Sequence, residues 1–354
     1  MKKRLVKRLT KHRVYTILKL RKGTKIMMGS LKDVAKLAGV SVSTVSYVIN
    51  GKKTVRPETY KKIMDAIKEV DYHPNIAARS LKINKTKSIG IVVADFTNIF
   101  YIDVLTGIES ELAKEGYSAI VSNSRNDPKI EEENLREIVN RNVDGIILLG
   151  TDGDRYKQIE ALSIPVISVD RVDQDYGFTV SIDNVMGGYI GANFLLQKGC
   201  KNLAFIGFDR KISVRDRLQG CRQAMKEYGL SVDKDLIYLE TEISPKGGYE
   251  ATLRLFSYRG GKICDGIFAN SDYMAFGVIR ALADLGYRVP EDVAIVGFDD
   301  ITLASYCIPA LTTIAQPRNQ MGVEATKMLM KILNKEEVEP HVVLEPKLVM
   351  RESV

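Results

Sequence analysis

The sequence lacks any apolar run of the length that a membrane span requires. Such a span needs about 18 consecutive apolar residues, whereas stretches such as residues 145–150 have only the length of a buried strand. The basic N-terminus also lacks the long apolar core and the small-residue cleavage site of a signal peptide. We therefore expect a cytoplasmic protein that does not associate with a membrane.

Cysteine and histidine are scarce and widely spaced. The 354 residues include 4 cysteines and 3 histidines, with no Cys-x-x-Cys pair. This spacing argues against a zinc site or a disulfide framework and favours a reducing compartment. We therefore expect no bound metal. The residues concerned are Cys200, Cys221, Cys264, Cys307, His12, His73 and His341.

The short motifs of the common enzyme classes are absent as well. The sequence contains no G-x-x-x-x-G-K-[ST], no G-x-S-x-G, no H-E-x-x-H and no G-x-G-x-x-G after a strand. Asp299 and Asp300 are adjacent carboxylates, but chain neighbours need not face each other as an acid and a base. We expect a protein that is not an enzyme and that uses no cofactor.

What the sequence does contain is a steep gradient of charge. Residues 1–29 carry eleven Lys and Arg and no acid, and residues 30–87 carry twelve basic and five acidic residues. Residues 88–354 carry twenty-nine basic and thirty-nine acidic residues. This distribution is typical of a polyanion-binding head joined to a second domain. A basic tail that only aids solubility has the same charge pattern, so the head must be examined residue by residue.

Residues 30–73 have the pattern of three short helices. Ser30 and Asp33 form a capping-box sequence at the start of the first helix, and Gly39 is suited to the left-handed turn that ends it. Ser41 is suited to cap a second helix over residues 42–50. Two helices joined through so tight a turn predict a helix-turn-helix, whose second helix enters the major groove of DNA.

A third helix, starting at Pro57, completes the predicted head. Apolar residues recur at helical spacing in all three helices, which predicts a small shared core. In chain order they are Leu31, Val34, Ala35, Ala38, Val42, Val45, Val48, Ile49, Tyr60, Ile63, Ile67 and Val70.

The string L-K-D-V-A-K-L-A-G-V-S-V-S-T-V-S over residues 31–46 resembles the DNA-binding head of the lactose-repressor (LacI/GalR) family. Asn50-Gly51 and the string D-Y-H-P-N at residues 71–75 extend the resemblance. It implies three residues that face the bases and four that contact phosphates. The implied base-reading residues are Val42, Ser43 and Tyr47, and the implied phosphate contacts are Ser41, Thr44, Ser46 and Asn50.

The head departs from the family at Tyr47, where an arginine is usual. An arginine there can form two parallel hydrogen bonds to a guanine, whereas a tyrosine cannot. We therefore expect the operator preference of this chain to differ from that of other members at the base pair that Tyr47 faces.

Residues 74–87 are expected to be a hinge helix and linker between the head and the body. The stretch P-N-I-A-A-R-S-L at residues 74–81 is too short to be a stable helix in isolation. The family resemblance implies that it orders on the correct DNA, with Asn75, Ala78 and Leu81 in the minor groove and Leu81 wedged between base pairs. The alternative is an ordinary linker in which Leu81 packs on the next domain.

From residue 88 onward, short apolar strands alternate with helix-length segments, which predicts a doubly wound parallel α/β body. Ligands of such folds bind beyond the carboxyl ends of the strands. The predicted strands are Ile89–Ala94, Ser118–Val121, Gly145–Leu149, Pro165–Val169, Leu203–Gly207, Gly266–Ala269 and Val293–Gly297.

The resemblance to the same family continues through the body, to about residue 353. The matching strings include N-V-D-G-I-I at residues 142–147, D-Y-M-A-F-G at residues 272–277 and V-G-F-D-D at residues 296–300. It implies a two-lobed domain like a type I periplasmic sugar-binding protein, with a ligand in the cleft. It also implies a set of cleft residues suited to a sugar-like effector: Asp95, Phe96, Phe100, Asp170, Arg217, Ser271, Tyr273 and Asp299.

The interpretation is therefore a transcription regulator with a small helix-turn-helix head and an effector-binding and dimerisation domain over residues 88–354. We expect it to bind double-stranded operator DNA as a homodimer, most simply as an operon repressor controlled by a small effector. A solute-binding protein is the rival interpretation, but it would be exported and would lack the head. The C-terminal sequence contains no heptad tail, which favours a dimer over a tetramer.

Residues 1–29 lie outside the resemblance. Met27 and Met28 stand directly before the motif, so these residues are either a mis-assigned start or a basic DNA-binding arm.

Overall fold

Contacts along the chain separate it into two units, Met1–Asn84 and Lys85–Val354, in the computed structural model of the protein. The predictions made for the N-terminal extension, for Asn50 and for the hinge residues Asn75, Ala78 and Leu81 lie outside the described residues. Among the described residues, no helix is both long enough and apolar enough to cross a membrane. The structure describes residues 30–49, 55–72, 85–150, 164–170, 177–207, 212–231, 236–240, 242–257 and 264–354.

The head contains three helices: α1 (Leu31–Ala38), α2 (Val42–Ile49) and α3 (Pro57–Glu69). The predicted capping box is present at the start of α1, where the Ser30 hydroxyl accepts from the Asp33 backbone N–H and the Asp33 carboxylate accepts from the Ser30 backbone N–H. Gly39 ends α1 in the left-handed region at φ +67°, which glycine adopts without steric cost. The capping box therefore fixes where α1 begins, and Gly39 fixes where it ends and the turn to α2 starts.

The core of the head is smaller than the helical spacing predicts. Val34, Val45 and Ile63 are fully buried at its centre. Val42 and Tyr60, expected to share this core, are instead 40% and 52% exposed. Both lie in the first turn of their helix, where the side chain does not pack against the core of the head. That part of the expectation was wrong.

The body contains two six-stranded sheets flanked by helices, one in each lobe. The first part of the chain forms β1 (Ser88–Val93), α4 (Ile99–Lys114), β2 (Ser118–Asn123), α5 (Pro128–Asn140), β3 (Gly145–Leu149), β4 (Val166–Val169) and β5 (Phe178–Ile182). The second lobe contributes α6 (Asn184–Gln197), β6 (Leu203–Gly207), α7 (Ile212–Glu227), β7 (Leu236–Glu240), α8 (Pro245–Ser257), β8 (Gly266–Ala269), α9 (Asp272–Asp284), β9 (Ala294–Asp299), a 3₁₀ turn (Thr302–Ser305) and β10 (Thr312–Ala315). The chain ends with α10 (Arg318–Leu333), β11 (His341–Leu344) and β12 (Lys347–Val349).

The strand order is β11-β5-β4-β3-β1-β2 in the first lobe and β12-β10-β9-β8-β6-β7 in the second. All pairs are parallel except β10 with β12. The chain therefore passes between the lobes three times: after β5, between β10 and α10, and between β11 and β12. The expected two-lobed α/β architecture is confirmed, and the carboxyl ends of both sheets are available to build one cleft.

Close packing holds α10 on the first lobe even though α10 follows the second sheet in the chain. A Cβ atom on Gly107 of α4 would overlap the backbone oxygen of Asn319, and one on Gly322 of α10 would overlap the backbone oxygen of Val104. The two helices can approach this closely only because each has a glycine at the contact. As a result, the connection from β10 to α10 ends at a helix that is packed closely on the first lobe.

Candidate functional site

The start of α2 presents a cluster of hydroxyl groups on the surface of the head. The Ser41 hydroxyl accepts a hydrogen bond from the Thr44 backbone N–H at 3.1 Å. Its oxygen also lies 2.8 Å from the hydroxyl oxygens of both Ser43 and Thr44. Hydroxyls and backbone N–H groups at the positive end of a helix are well suited to contact a phosphate.

Side chains on the open side of α2 are available to a partner. Ser43 is exposed, Tyr47 is 48% exposed, and Val42 joins them on the surface, whereas Val45 points into the core. Ser46, from the predicted phosphate-contact group, is half-buried. The described part of the predicted DNA-contact set therefore lies on one short helix and on Ser41, the residue directly before it.

In the body, Arg217 of α7 is a buried residue of the predicted cleft with several hydrogen bonds. It is only 4% exposed, and its Nε donates to the Asn184 side-chain oxygen at 2.8 Å. One terminal nitrogen donates to the Asn270 backbone oxygen, also at 2.8 Å. The guanidinium carbon lies 3.6 Å from the centre of the Phe298 ring, a cation–π contact. These contacts from three other segments fix the direction of the guanidinium.

Asp299 ends β9 next to this arginine and is 5% exposed. Its carboxylate accepts a hydrogen bond from the Gln316 side-chain nitrogen at 2.6 Å. Its backbone has a φ of +108°, which is uncommon for any residue other than glycine. A buried acid held in such a conformation is typical of a functional position.

The pKa of Asp299 is raised to about 7, and burial is the largest cause. The charge of Arg217 and the hydrogen bond from Gln316 act in the opposite direction but do not outweigh it. Burial also lowers the pKa of Arg217, and the charges of Asp299 and Asp170 oppose that shift. The cleft therefore holds charged groups whose solvation is incomplete, which is the usual condition of a ligand site.

Asp170 follows β4 in the first lobe, and its charge raises the pKa of Arg217. It has a positive φ of 62°. Tyr101 of α4, also in the first lobe, raises the pKa of Arg217 as well. Residues of both lobes therefore act electrostatically on the guanidinium.

Arg318, the first residue of α10, links the lobes beside this site. Its Nε lies 3.0 Å from the Asp103 carboxylate of α4. One of its terminal nitrogens donates to the backbone oxygen of Asp299 at 2.7 Å. The end of β9, which carries the acid of the site, is therefore tied directly to a helix of the first lobe.

The remaining predicted cleft residues occupy different environments. Asp95 is half-buried and accepts from the Thr97 backbone N–H at 2.9 Å, and Phe96 beside it is exposed. Phe100 is buried in the core, edge-on to Tyr101 with ring centres 5.2 Å apart. Each lies at the β1–α4 end of the first lobe.

The last two predicted cleft residues lie at the start of α9 in the second lobe. Ser271 is buried and caps α9, with its hydroxyl accepting from the Met274 backbone N–H, and Tyr273 is half-buried. Between them, Asp272 is fully buried and accepts from the Thr313 hydroxyl and from the Ile301 backbone N–H. Asp272 thereby holds the loop that follows Asp299.

Sequence reasoning missed several residues that shape the site. Five of them, from four separate segments, contact Arg217 or Asp299: Asn184, Asn270, Phe298, Gln316 and Arg318. Three had a usable signal, because they stand within strings that match the family: Phe298 in V-G-F-D-D, Asn184 in D-N at residues 183–184 and Gln316 in Q-P at residues 316–317. Among the described residues, no group of three or more His, Cys, Asp or Glu side chains is placed to hold a metal ion.

Comparison with known proteins agrees with this arrangement. Residues 30–75 match the family model "Bacterial regulatory proteins, lacI family", and residues 192–354 match "Periplasmic binding protein-like domain". The HTH-type transcriptional regulator RegA of Clostridium saccharobutylicum is 42% identical over 333 residues, which cover 92% of this chain and 99% of RegA.

Two solved structures extend the comparison. The lac repressor dimer bound to operator and the anti-inducer ONPF has a TM-score of 0.83 and 27% identity, covering 92% of this chain and 98% of that one. The complex of the transcriptional regulator CelR with cellobiose has a TM-score of 0.69 and 31% identity, covering 92% of this chain and all of that one.

A helix-turn-helix head joined to a two-lobed periplasmic-binding-protein-like body defines a DNA-binding transcription regulator with a ligand cleft. The identity to RegA extends over both parts of the chain. The protein belongs to the LacI family of bacterial regulatory proteins.

Proposed function

We propose that this regulator represses an operon from double-stranded operator DNA in the cytoplasm, and that a small sugar-like effector bound beside Arg217 and Asp299 controls its operator affinity. The observation that carries the proposal is the burial of both residues. A rigid donor, Arg217, and a buried acceptor, Asp299, act electrostatically on each other. No catalytic role is assigned to either residue.

The chemistry of the pair favours a polyhydroxylated ligand. A guanidinium held by Asn184 and Asn270 can donate to neighbouring hydroxyl oxygens. A carboxylate such as that of Asp299 accepts from hydroxyl groups. Aromatic residues near both lobes can cover the apolar face of a sugar ring. The CelR complex with cellobiose supports this class of ligand.

In the head, we infer that Val42, Ser43 and Tyr47 read base edges in the major groove, while Ser41, Thr44 and Ser46 contact phosphates. Their exposure and the hydroxyl cluster at the start of α2 support these roles. The phosphate contact of Asn50, the minor-groove roles of Asn75, Ala78 and Leu81, and the domain boundaries at 30, 74 and 88 stay predictions from the sequence.

An exposed apolar surface on the second lobe supports a homodimer. Leu303, Tyr306 and Ile308 lie between β9 and β10, and Ile308 is 90% exposed. Large apolar side chains exposed together in one short segment are a candidate interface. A second copy of the chain would place two heads on the two halves of a pseudopalindrome. The lac repressor, which shares this fold, likewise binds its operator as a dimer.

The proposed response follows from the connections between the lobes. An effector that contacts Asp170 in one lobe and Arg217 in the other changes the preferred lobe orientation, and thereby the separation of the two linkers in a dimer. Such coupling is typically about 1–3 kcal/mol.

The test begins with selection of a preferred duplex from random DNA, followed by a thermal-shift screen of sugars and nucleosides. We expect one selected half-site sequence in inverted repeat, and at least one sugar that both stabilises the protein and changes its affinity for that duplex. Absence of any preferred sequence would refute the DNA-binding role. Control by a protein co-repressor alone would refute the sugar-like effector.

The dimer is tested with Ile308→Asp. A buried charge at an apolar interface is costly, so we expect a monomer by sedimentation and a large loss of operator affinity. The control is Val343→Asp, which places the same charge at an exposed apolar residue of β11 in the other lobe. A variant at Ile308 that stays dimeric would contradict the proposed interface.

A further inference from the structure

The residues at which the chain enters the first lobe are held by one carboxylate. Asp144, directly before β3, accepts from the Thr86 backbone N–H at 2.8 Å and from the Thr86 hydroxyl at 3.1 Å. Its other oxygen accepts from the Lys87 backbone N–H at 2.9 Å. The Asp144 backbone N–H donates to the Ser88 oxygen at 2.9 Å. Hydrogen bonds to a carboxylate are stronger than those to a neutral acceptor.

The same residues are fixed from the other side of β1. The backbone oxygen of Lys87 accepts from the Ser118 N–H at 2.9 Å, at the start of β2. The Lys87 ammonium donates to the Glu115 backbone oxygen and lies 4.1 Å from the centre of the Tyr117 ring. Since β1 lies between β2 and β3 in the sheet, three neighbouring strands hold the end of the linker.

The second lobe contains the same device without a linker. The string D-G-I occurs at residues 144–146 and again at residues 265–267, each time at the start of a central strand. Asp265 accepts from the backbone N–H groups of Lys201 and Asn202 at 2.8–3.0 Å. Those two residues only connect α6 to β6 within the lobe. The motif therefore has an ordinary structural role in both lobes, and in the first lobe it also fixes the segment that leads to the head.

We propose that Asp144 is a positioning residue for operator binding: it fixes the point where the linker leaves the first lobe, so that the linker follows the lobe instead of rotating freely. This rests on the proposed dimeric DNA-binding function. A freely rotating joint would let the two heads of a dimer sample many separations. A fixed joint restricts them, so less conformational freedom is lost on docking and one half-site spacing is preferred.

Asp144→Ala and Asp265→Ala form a matched pair. Each removes a half-buried carboxylate that accepts from the backbone N–H groups of the two residues near the start of the first strand of its lobe. Both are expected to lower the unfolding temperature by a similar amount. Each full-length protein is titrated with the duplex selected by the wild-type chain, and with versions in which one central base pair is inserted or removed. Asp144→Asn, which keeps one acceptor oxygen, serves as a second variant should Asp144→Ala fail to fold.

We expect Asp144→Ala to weaken binding to the selected duplex by about tenfold and to bind the altered spacings almost as well as the original. Asp265→Ala is expected to keep the spacing preference of the wild type, since stability alone changes all three affinities together. If Asp144→Ala kept the same spacing preference as Asp265→Ala, this inference would be overturned, while the proposed DNA-binding function would stand. A wild-type chain that prefers no duplex would overturn the proposed function, and this inference with it.

Discussion

The head and the cleft place their candidate functional side chains in different ways. In the head, Ser43 and Tyr47 lie on one eight-residue helix and are exposed. In the cleft, Arg217 and Asp299 come from distant segments and are buried, with further contacts from both lobes. A substitution in the head can therefore change what is recognised without disturbing the fold, whereas one in the cleft changes stability and recognition together.

The largest expected effect comes from Arg217→Met, which removes the buried cation that Asn184 and Asn270 hold in place. The substitution leaves the buried oxygens of Asn184 and Asn270 without this donor, and each buried polar group left unsatisfied typically costs about 1–3 kcal/mol. We expect lower stability in thermal unfolding and no measurable effector binding in calorimetry. Arg215→Met is the control, because Arg215 is exposed on the same helix. Effector binding by Arg217→Met that matches the wild type would show that the cleft has been misassigned.

The second prediction uses the pKa of Asp299, which burial raises to about 7. Because the unfolded chain gives up this proton near pH 4, the folded state binds more protons between these values. The stability of the free protein should therefore fall as the pH rises from about 4 to about 7, and then level off. Asp299→Asn should flatten this dependence by up to about 1.4 kcal/mol per pH unit, measured by denaturant unfolding at each pH.

The comparison must be made as a difference between the two proteins. Burial and the neighbouring charge of Asp299 also raise the pKa of Asp272, so the wild-type dependence has more than one source. Asparagine tolerates a positive φ and can still accept from Gln316. Identical pH dependence in the two proteins would show that Asp299 is ionised at all these pH values.

The third and smallest effect on stability is expected from Tyr47→Arg in the head. The side chain is exposed, so the fold should be unaffected, while an arginine can donate two hydrogen bonds to a guanine. We expect the selected operator to change at one position in each half-site, with discrimination of about 1–3 kcal/mol. Tyr60→Arg, at an exposed tyrosine of α3, should leave the selected sequence unchanged. An unchanged consensus for Tyr47→Arg would mean that Tyr47 does not face a base.

The sequence predicted local features well where short-range chemistry specifies them. The capping box at Ser30, the left-handed Gly39 and strands β3, β6 and β8 all lie where they were expected. The ends of other strands differ by one or two residues; β4, for example, begins after Pro165, which has no N–H to donate to a neighbouring strand. Asp299 is the last residue of β9 rather than a residue beyond it.

The strands β5, β7, β10, β11 and β12 were not predicted. β5 and β10 are short and contain threonine or serine, so they lack a continuous apolar run. β11 is an edge strand that pairs with β5, more than 150 residues earlier in the chain. β7 and β12 are also edge strands, and an edge strand is defined mainly by the neighbour with which it pairs.

By itself, the sequence determined the family, the helix-turn-helix, the α/β class of the body and the identity of Arg217 and Asp299 as cleft candidates, because helical spacing, caps and family strings are local patterns. Only the tertiary structure decided which side chains surround them. Asn184, Asn270, Gln316 and Arg318 meet at the site because three passages between the lobes bring distant segments together. No local pattern encodes such a meeting, since burial and hydrogen bonding there depend on how both sheets and α10 pack.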